Sequence, residues 1–170
     1  MGRSLTSWPP KELILIRRSL GELITRTRDD DRSLEPEVTA LLARLLVVRS
    51  AGYVEQGAVI CAKGHFQERS GGYVRSFAHS WLQRGKNPSP TNLLEFVGRF
   101  DQLLADELKA EFAKDQGRLN SELSSLVSLR NKIAHGLNES IGQTRAVQLA
   151  EVSEEVVDWF ILRLNPLATS

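Results

Sequence analysis

The apolar residues of this chain recur mostly at spacings of three and four residues, and no stretch alternates apolar and polar residues as a half-buried strand does. This periodicity is typical of amphipathic helices, which turn about every 3.6 residues. We therefore predict an all-α protein. The chain has 170 residues, of which 41% are hydrophobic and 25% charged, so we predict one helical domain over 1–170 with its core at about 10–164.

Capping and helix-breaking residues divide the chain into six predicted helices. Their bounds are Ser7 to about Arg28, Leu34 to about Lys63, a short helix carrying Tyr73 to Leu82, Asn92 to about Asp115, Leu119 to His135, and Thr144 to about Leu164. Ser7 caps the first helix, Asn92 with Glu95 forms a capping box, and Gly64 ends the second helix. Short connections favour antiparallel neighbours, so we predict an up-and-down antiparallel bundle of four to five long helices plus one short helix.

Charge and cysteine content exclude several classes of protein. The formal net charge is +1, from 22 Lys and Arg against 21 Asp and Glu, so a nucleic-acid role requires a local basic patch. The one cysteine, Cys61, cannot form an internal disulfide, and we predict a buried inert thiol, no metal site and no cofactor. The N-terminus is polar and the most apolar stretch, Val38 to Val48, contains Arg44, so we predict a cytoplasmic protein without a membrane role.

Two arginines fall within apolar stripes of the predicted helices. In the fifth helix, Arg130 occupies the middle of the apolar face. The other members of that stripe are Leu119, Leu123, Leu126, Ile133 and Leu137. The second helix places Arg49 in the same way, within the stripe Val38, Leu42, Leu45, Gly52, Gln56, Val59 and Ile60.

An unpaired charge costs several kcal/mol to bury, so each of these arginines requires an acid, a solvated cleft or an anionic ligand. Glu55 is a candidate partner for either arginine, and the sequence leaves the alternatives open. Gly52 and Gly57 each cost a helix about 1 kcal/mol relative to alanine. Either a second helix or a ligand approaches the backbone there, and we favour helix packing.

The segment from Lys63 to Lys86 is the one local basic region, with five basic residues and one acidic residue. Its interleaved aromatic residues are Phe66, Tyr73, Phe77 and Trp81. Such a segment can hold a phosphate backbone while its aromatic rings stack on bases, or it can be a surface helix whose aromatic rings face the core. The candidate nucleic-acid contacts are Arg75 in this segment, together with Arg49 and Lys132.

The hexapeptide from Arg130 to His135 carries the strongest chemical signal, because it combines a guanidinium that matches phosphate, the amide of Asn131 and a titratable imidazole. Residues five apart on a regular helix point about 140° away from each other. Arg130 and His135 therefore meet only if the last turn unwinds near Gly136, or if a two-fold dimer brings the pairs from both chains to one cleft. We favour the dimer.

The sequence LRNKIAHG at 129–136 resembles the Arg-x4-6-His motif of HEPN domains, and most closely that of the bacterial RiboL-PSP type. The blocks at 46–56 and 92–101 also resemble this family in their order and spacing, and together the similar blocks span about residues 36–160. The resemblance implies an all-helical, usually dimeric domain. Catalytic members of the family are metal-independent endoribonucleases, often toxins or phage-defence effectors, and other members are non-catalytic dimerisation or binding modules.

Carried over by position, the resemblance implies that Arg130 and His135 are the catalytic pair and that Asn131 is the polar residue beside the arginine. His135 then moves the proton of an RNA 2′-hydroxyl or of the leaving 5′-oxygen, and Arg130 stabilises the charge that develops on phosphate. The implied partners are RNA, a second copy of the chain, and an antitoxin or inhibitor protein. Leu137 and Asn138 leave no tyrosine after the histidine, so regulation by nucleotidyl modification is not expected.

Overall fold

The computed structural model describes residues 7–28, 35–82, 87–137 and 140–168. All regular elements within these ranges are helices: α1 (Lys11–Arg28), α2 (Pro36–Arg69), α3 (Gly72–Leu82), α4 (Pro90–Gly98), α5 (Gln102–Ala134) and α6 (Gln143–Arg163). The prediction of an all-α helical bundle is confirmed.

The contacts of α6 give the directions of the long helices. The Trp8 indole donates to the carbonyl of Ile161 over 2.8 Å, and Arg28 pairs with Glu151, so α1 runs antiparallel to α6. In contrast, α2 runs parallel to α6, because Gly57 lies against Val157 and, further along both helices, His65 Nδ1 lies 3.1 Å from the carbonyl oxygen of Leu164.

The second part of α5 is antiparallel to α6. Arg118 pairs with Glu155 at 2.7 Å near one end of the contact, and Arg145 pairs with Glu122 at 2.6 Å nearer the other end. The C-terminus of α5 therefore lies at the end of the bundle that also holds the N-termini of α2 and α6.

The predicted break between Asp115 and Leu119 is confirmed, and Gly117 lies within it. Residues 114–117 leave helical geometry, and Asp115, Gln116 and Gly117 have φ of 50°, 58° and 77°. This kink divides α5 into a first arm, 102–113, and a second arm, 118–134.

The predicted fourth helix is wrong at its start and in its length. Ser89, and not Asn92, is the N-cap, because the Ser89 hydroxyl accepts from the Asn92 backbone N–H over 3.3 Å. The helix then ends at Gly98, since Asp101 caps a new helix by accepting from the backbone N–H of Leu104 at 3.0 Å. The local capping preference of aspartate outweighs the continuous apolar periodicity on either side.

Two other predicted helix ends also need correction. Gly64 is buried inside α2, which continues to Arg69 and brings Phe66 edge-on to Phe100 with ring centroids 5.4 Å apart. At the first helix, Ser7 lies in a bend and α1 begins at Lys11. The predicted start of the second helix at Leu34 lies outside the described residues.

The predicted apolar stripe of α2 is rotated away from the core. Val38 and Leu45 are 41% and 48% exposed, and Arg49 is exposed rather than core-facing. The buried residues of this half are Ala43, Leu46, Val47, Ser50, Ala51, Tyr53 and Val54. Because α2 packs against α1, α3, α5 and α6, it is apolar on several sides and its periodicity does not define one buried face.

The same burial explains the apolar character of α2. By length and composition this helix could cross a membrane, but 61% of its most apolar window is buried inside the bundle, as in the core helix of a soluble protein.

Gly57 is required by the contact between α2 and α6, whereas Gly52 is not. A Cβ at Gly57 would lie 2.8 Å and 2.9 Å from the two γ-carbons of Val157, while at Gly52 the nearest atom is the Gln56 side-chain nitrogen at 3.9 Å. The prediction of close helix packing is thus confirmed at Gly57 and wrong at Gly52.

These two glycines give a matched pair of variants. Gly57→Ala is expected to lower the free energy of unfolding by about 1–2 kcal/mol, because the overpacking against a stiff β-branched side chain exceeds the gain in helix propensity. Gly52→Ala makes only an ordinary contact with the Gln56 side chain and is expected to raise the free energy of unfolding by up to about 1 kcal/mol. Urea-induced unfolding measures both values, and a stabilised Gly57→Ala protein would contradict the packing.

Candidate active site

The end of α5 is fixed by its backbone. Gly136 adopts a left-handed φ of 74° and its N–H donates to the carbonyl of Ile133 over 3.1 Å. The N–H of Leu137 donates to the carbonyl of Lys132 over 3.0 Å. These two bonds form a Schellman motif with a glycine at the position that needs positive φ, and they place His135 at the C-cap. The predicted helix end at His135 and Gly136 is confirmed.

Arg130 lies where the second arm of α5 leaves the core. Leu126 and Val127 are buried one turn earlier, whereas Arg130 is half-buried, so the prediction that it sits in the middle of the core face is wrong. The Arg130 guanidinium donates to the side-chain oxygen of Asn131 at 3.0 Å. This bond uses one donor of a planar group that has five, and it fixes the orientation of the group.

Arg130 has no acidic partner among the described residues. Glu55 lies instead in a cavity between α2, α3 and α4, so it pairs neither with Arg130 nor with Arg49. The interpretation of Arg130 as half of a buried ion pair with Glu55 is therefore wrong. What remains is a half-buried, oriented guanidinium whose free donors are available to an anion.

His135 is exposed and is the C-cap of α5; its N–H still donates to the carbonyl of Asn131 over 3.0 Å, as in a regular helix, whereas its ψ of 9° is no longer helical. The helical hydrogen bonds thus continue as far as the N–H of His135, which sets the direction in which its side chain leaves the helix. Unwinding of the last turn does not bring the imidazole to the guanidinium, and the two side chains leave the helix about 140° apart.

The other predicted nucleic-acid contacts lie in different places. Lys132 is exposed on α5 within the hexapeptide, while Arg49 is exposed on α2 and donates to the Ser19 hydroxyl at 3.3 Å. Arg75 lies at the opposite end of α2, where its Nε donates to the carbonyl of Ser70 at 2.9 Å. Lys132 thus shares the last turns of α5 with Arg130 and His135 but points about 160° away from Arg130 around the helix, and Arg75 is not brought to them.

The aromatic residues of the basic segment divide into two groups. Tyr73 and Phe77, one turn apart on α3, are 95% and 73% exposed. Phe66 and Trp81 pack against the core. The two interpretations of this segment thus apply to different residues. Two of its five basic residues, Arg84 and Lys86, lie outside the described residues.

Neither the metal ligands nor the thiol of the described residues form a second candidate site. No group of three or more His, Cys, Asp or Glu side chains is placed to hold a metal ion within the described parts of the chain. Cys61 is fully buried in α2, and burial raises the pKa of its thiol to about 12. The prediction of a buried thiol is confirmed.

A family model described as RiboL-PSP-HEPN matches residues 11–162, and the chain belongs to this family. HEPN domains often dimerise and bind RNA, and HEPN modules are often ribonucleases. No curated protein and no solved structure matches the chain.

Proposed function

We propose that this protein is a metal-independent endoribonuclease that works as a homodimer in the cytoplasm, as a toxin or phage-defence effector held silent by an antitoxin or inhibitor protein. The observation that carries this proposal is the Arg130 guanidinium, which is oriented by Asn131 without an acidic partner in the described chain, close in sequence to the exposed His135. A guanidinium left without a carboxylate is suited to bind a phosphate.

The chemistry of these groups fits transesterification within RNA. One imidazole removes the proton of the 2′-hydroxyl while the 2′-oxygen forms a bond to phosphorus. The bond from phosphorus to the 5′-oxygen breaks, and an imidazolium returns a proton to that oxygen. Arg130 stabilises the negative charge on the non-bridging oxygens during this step. The products are a 2′,3′-cyclic phosphate and a 5′-hydroxyl, and DNA is not a substrate because it lacks the nucleophile.

The divergence of Arg130 and His135 on one helix supports a site shared between two copies. An exposed apolar stripe of α2, formed by Val38, Leu41 and Leu45, lies at the same end of the bundle as this site. Spacings of three and four residues place the three side chains on one face, which a two-fold related copy of the stripe can cover. A dimer formed there has the C-termini of both α5 helices at one end, as a shared cleft requires.

Cleavage of RNA in EDTA tests the proposal. The purified protein is expected to cut structured and unstructured RNA in the presence of EDTA, and a DNA strand of the same sequence is expected to stay intact. The new 3′ ends should not be joined by RNA ligase until the cyclic phosphate has been opened and removed. The electrophoretic mobility of the fragments should also change after treatment with an enzyme that opens cyclic phosphates. RNA bound without cleavage, on several RNAs, would instead favour the alternative described next.

The alternative is a non-catalytic HEPN module that binds RNA or protein. The exposed rings of Tyr73 and Phe77 on α3 favour it, because they form an apolar surface away from the Arg130 site.

A further inference from the structure

A cavity of about 170 Å³ lies between α2, α3 and α4, away from Arg130 and His135. Its apolar walls come from Ala58, Val59 and Leu93 and from the rings of Trp81 and Phe96. A cavity of about 150 Å³ is enough to bind a molecule the size of benzene, so this one is large enough for a small organic molecule. Few polar groups line it, and their chemistry determines which molecule it takes.

Two oxygen acceptors of the cavity lack a partner. Glu55 is half-buried and, within the described chain, no cation pairs with its carboxylate. The side-chain oxygen of Asn87 is buried and accepts no hydrogen bond. An unsatisfied buried acceptor is costly, and a carboxylate that is half-buried without a partner adds to that cost.

The backbone holds Asn87 in place. Its carbonyl accepts from the side-chain nitrogen of Asn92 at 2.7 Å and from the backbone N–H of Ser89 at 2.9 Å. These two bonds hold the backbone of Asn87 at the edge of the cavity, from which its unpartnered side-chain oxygen can reach a ligand.

Among the described residues, the one cation that lines the cavity is already engaged. Arg99 pairs with Glu95, one turn earlier in the helix, and its guanidinium carbon lies 5.5 Å from the centroid of the Trp81 ring. Its charge is therefore offset by Glu95, and Glu55 is the described residue of the cavity whose charge is not compensated.

We propose that this cavity binds a small organic cation with N–H donors, a primary ammonium or guanidinium on a short carbon chain. The charged head donates to Glu55 and to the side-chain oxygen of Asn87, and the carbon chain packs against Trp81 and Phe96. The two oxygen acceptors thus select a charged head with N–H donors, and the apolar walls select the carbon chain that carries it. Such a head group belongs either to a free amine or to a lysine or arginine side chain of another protein.

The indole N–H resonance of Trp81 is a direct probe of this site. The chain has three tryptophans, and the spectrum of a Trp81→Phe variant assigns the peak. Titration with n-butylamine or n-butylguanidine is expected to shift the Trp81 resonance in a saturable way. The resonance of the Trp8 indole, which donates to the carbonyl of Ile161, is expected not to shift.

Glu55→Gln is the decisive variant, and Glu37→Gln is its matched control. The first removes the charge without changing the shape, and it is expected to weaken binding of n-butylamine by at least about tenfold. Glu37 is exposed in the first turn of the same helix, about 27 Å from Glu55 along the axis. Its replacement should leave the affinity for n-butylamine unchanged.

Further titrations identify the source of the cationic group, and several outcomes overturn the proposal. N-acetyl-argininamide shifts the resonance if a protein side chain can enter, and free amines alone do so if the ligand is a small molecule. The proposal is overturned if the amines cause no saturable shift, if n-butanol binds as well as n-butylamine, or if Glu55→Gln binds like the wild type. A shift caused by nucleoside monophosphates but not by amines overturns it in favour of a nucleotide site.

Discussion

Replacing His135 with alanine is expected to reduce RNA cleavage by about 10²- to 10⁴-fold, the range that loss of a general acid or base causes. The thermal midpoint should stay unchanged, because the side chain is exposed and the Schellman motif that ends α5 uses only backbone atoms. Initial cleavage rates in EDTA and a thermal melt of the same preparation measure the two quantities.

Ser128→Ala is the matched control for this variant. Ser128 is exposed on the same arm of α5. The variant is purified in the same way, its helix should stay intact, and the groups of the proposed chemistry are unchanged. Equal cleavage by wild type, Ser128→Ala and His135→Ala would mean that His135 is not catalytic or that a contaminating nuclease cuts the RNA.

Activity is expected to return when an Arg130→Ala chain and a His135→Ala chain are combined in one dimer. Arg130→Ala alone should lower cleavage by about 10²- to 10³-fold, as removal of a group that stabilises transition-state charge does. In a shared cleft, the mixed dimer still has one arginine and one histidine, so part of the wild-type rate should be recovered. Co-expression with two affinity tags, followed by purification over both, yields the mixed dimer for the assay.

The result separates the two arrangements of the site. If each chain carried a complete site, every site of the mixed dimer would lack one of the two groups, and the mixture would be as inactive as its components. Leu45→Glu in both chains is the control, because a charge in the exposed stripe of α2 should prevent dimer formation and with it any recovery. Light scattering of each sample reports whether a dimer was present.

The parts of the fold that depend on local signals could be predicted from the sequence. Gly117 and Gly136 were identified as breaks because a positive φ favours glycine, and both have φ above 70° in the structure. The capping residues were harder to identify, since Ser89 and Asn92 are both good N-caps and only the position of Pro90 in the first turn separates them.

The buried faces could not be predicted in the same way. Helix α2 has neighbours on several sides, and a stripe of regular spacing, which includes Val38 and Leu45, lies partly in solvent. The same error placed Arg49 in the core. Whether a stripe faces the core or a second copy of the chain is a property of the tertiary packing, which periodicity alone does not contain.

The candidate active site could be predicted because its residues are six consecutive positions of one helix. The cavity could not, because Glu55, Trp81 and Asn87 come from α2, from the end of α3 and from the chain before α4. From the sequence, Glu55 is a candidate only as the ion-pair partner of an arginine. No local pattern links it to Asn87, 32 positions later.

Because α5 keeps its helical hydrogen bonds up to His135, the number of residues between arginine and histidine determines the angle between their side chains around the helix. With four intervening residues, as here, the side chains diverge by about 140°, and with six they would return to within about 20° of each other on one face. A chain with the longer spacing can bring both groups to one phosphate by itself. We expect a chain with the shorter spacing to need the same helix of a second copy to complete the site. The Schellman motif holds His135 at the C-cap, so the last turn does not rearrange to bring the two side chains together.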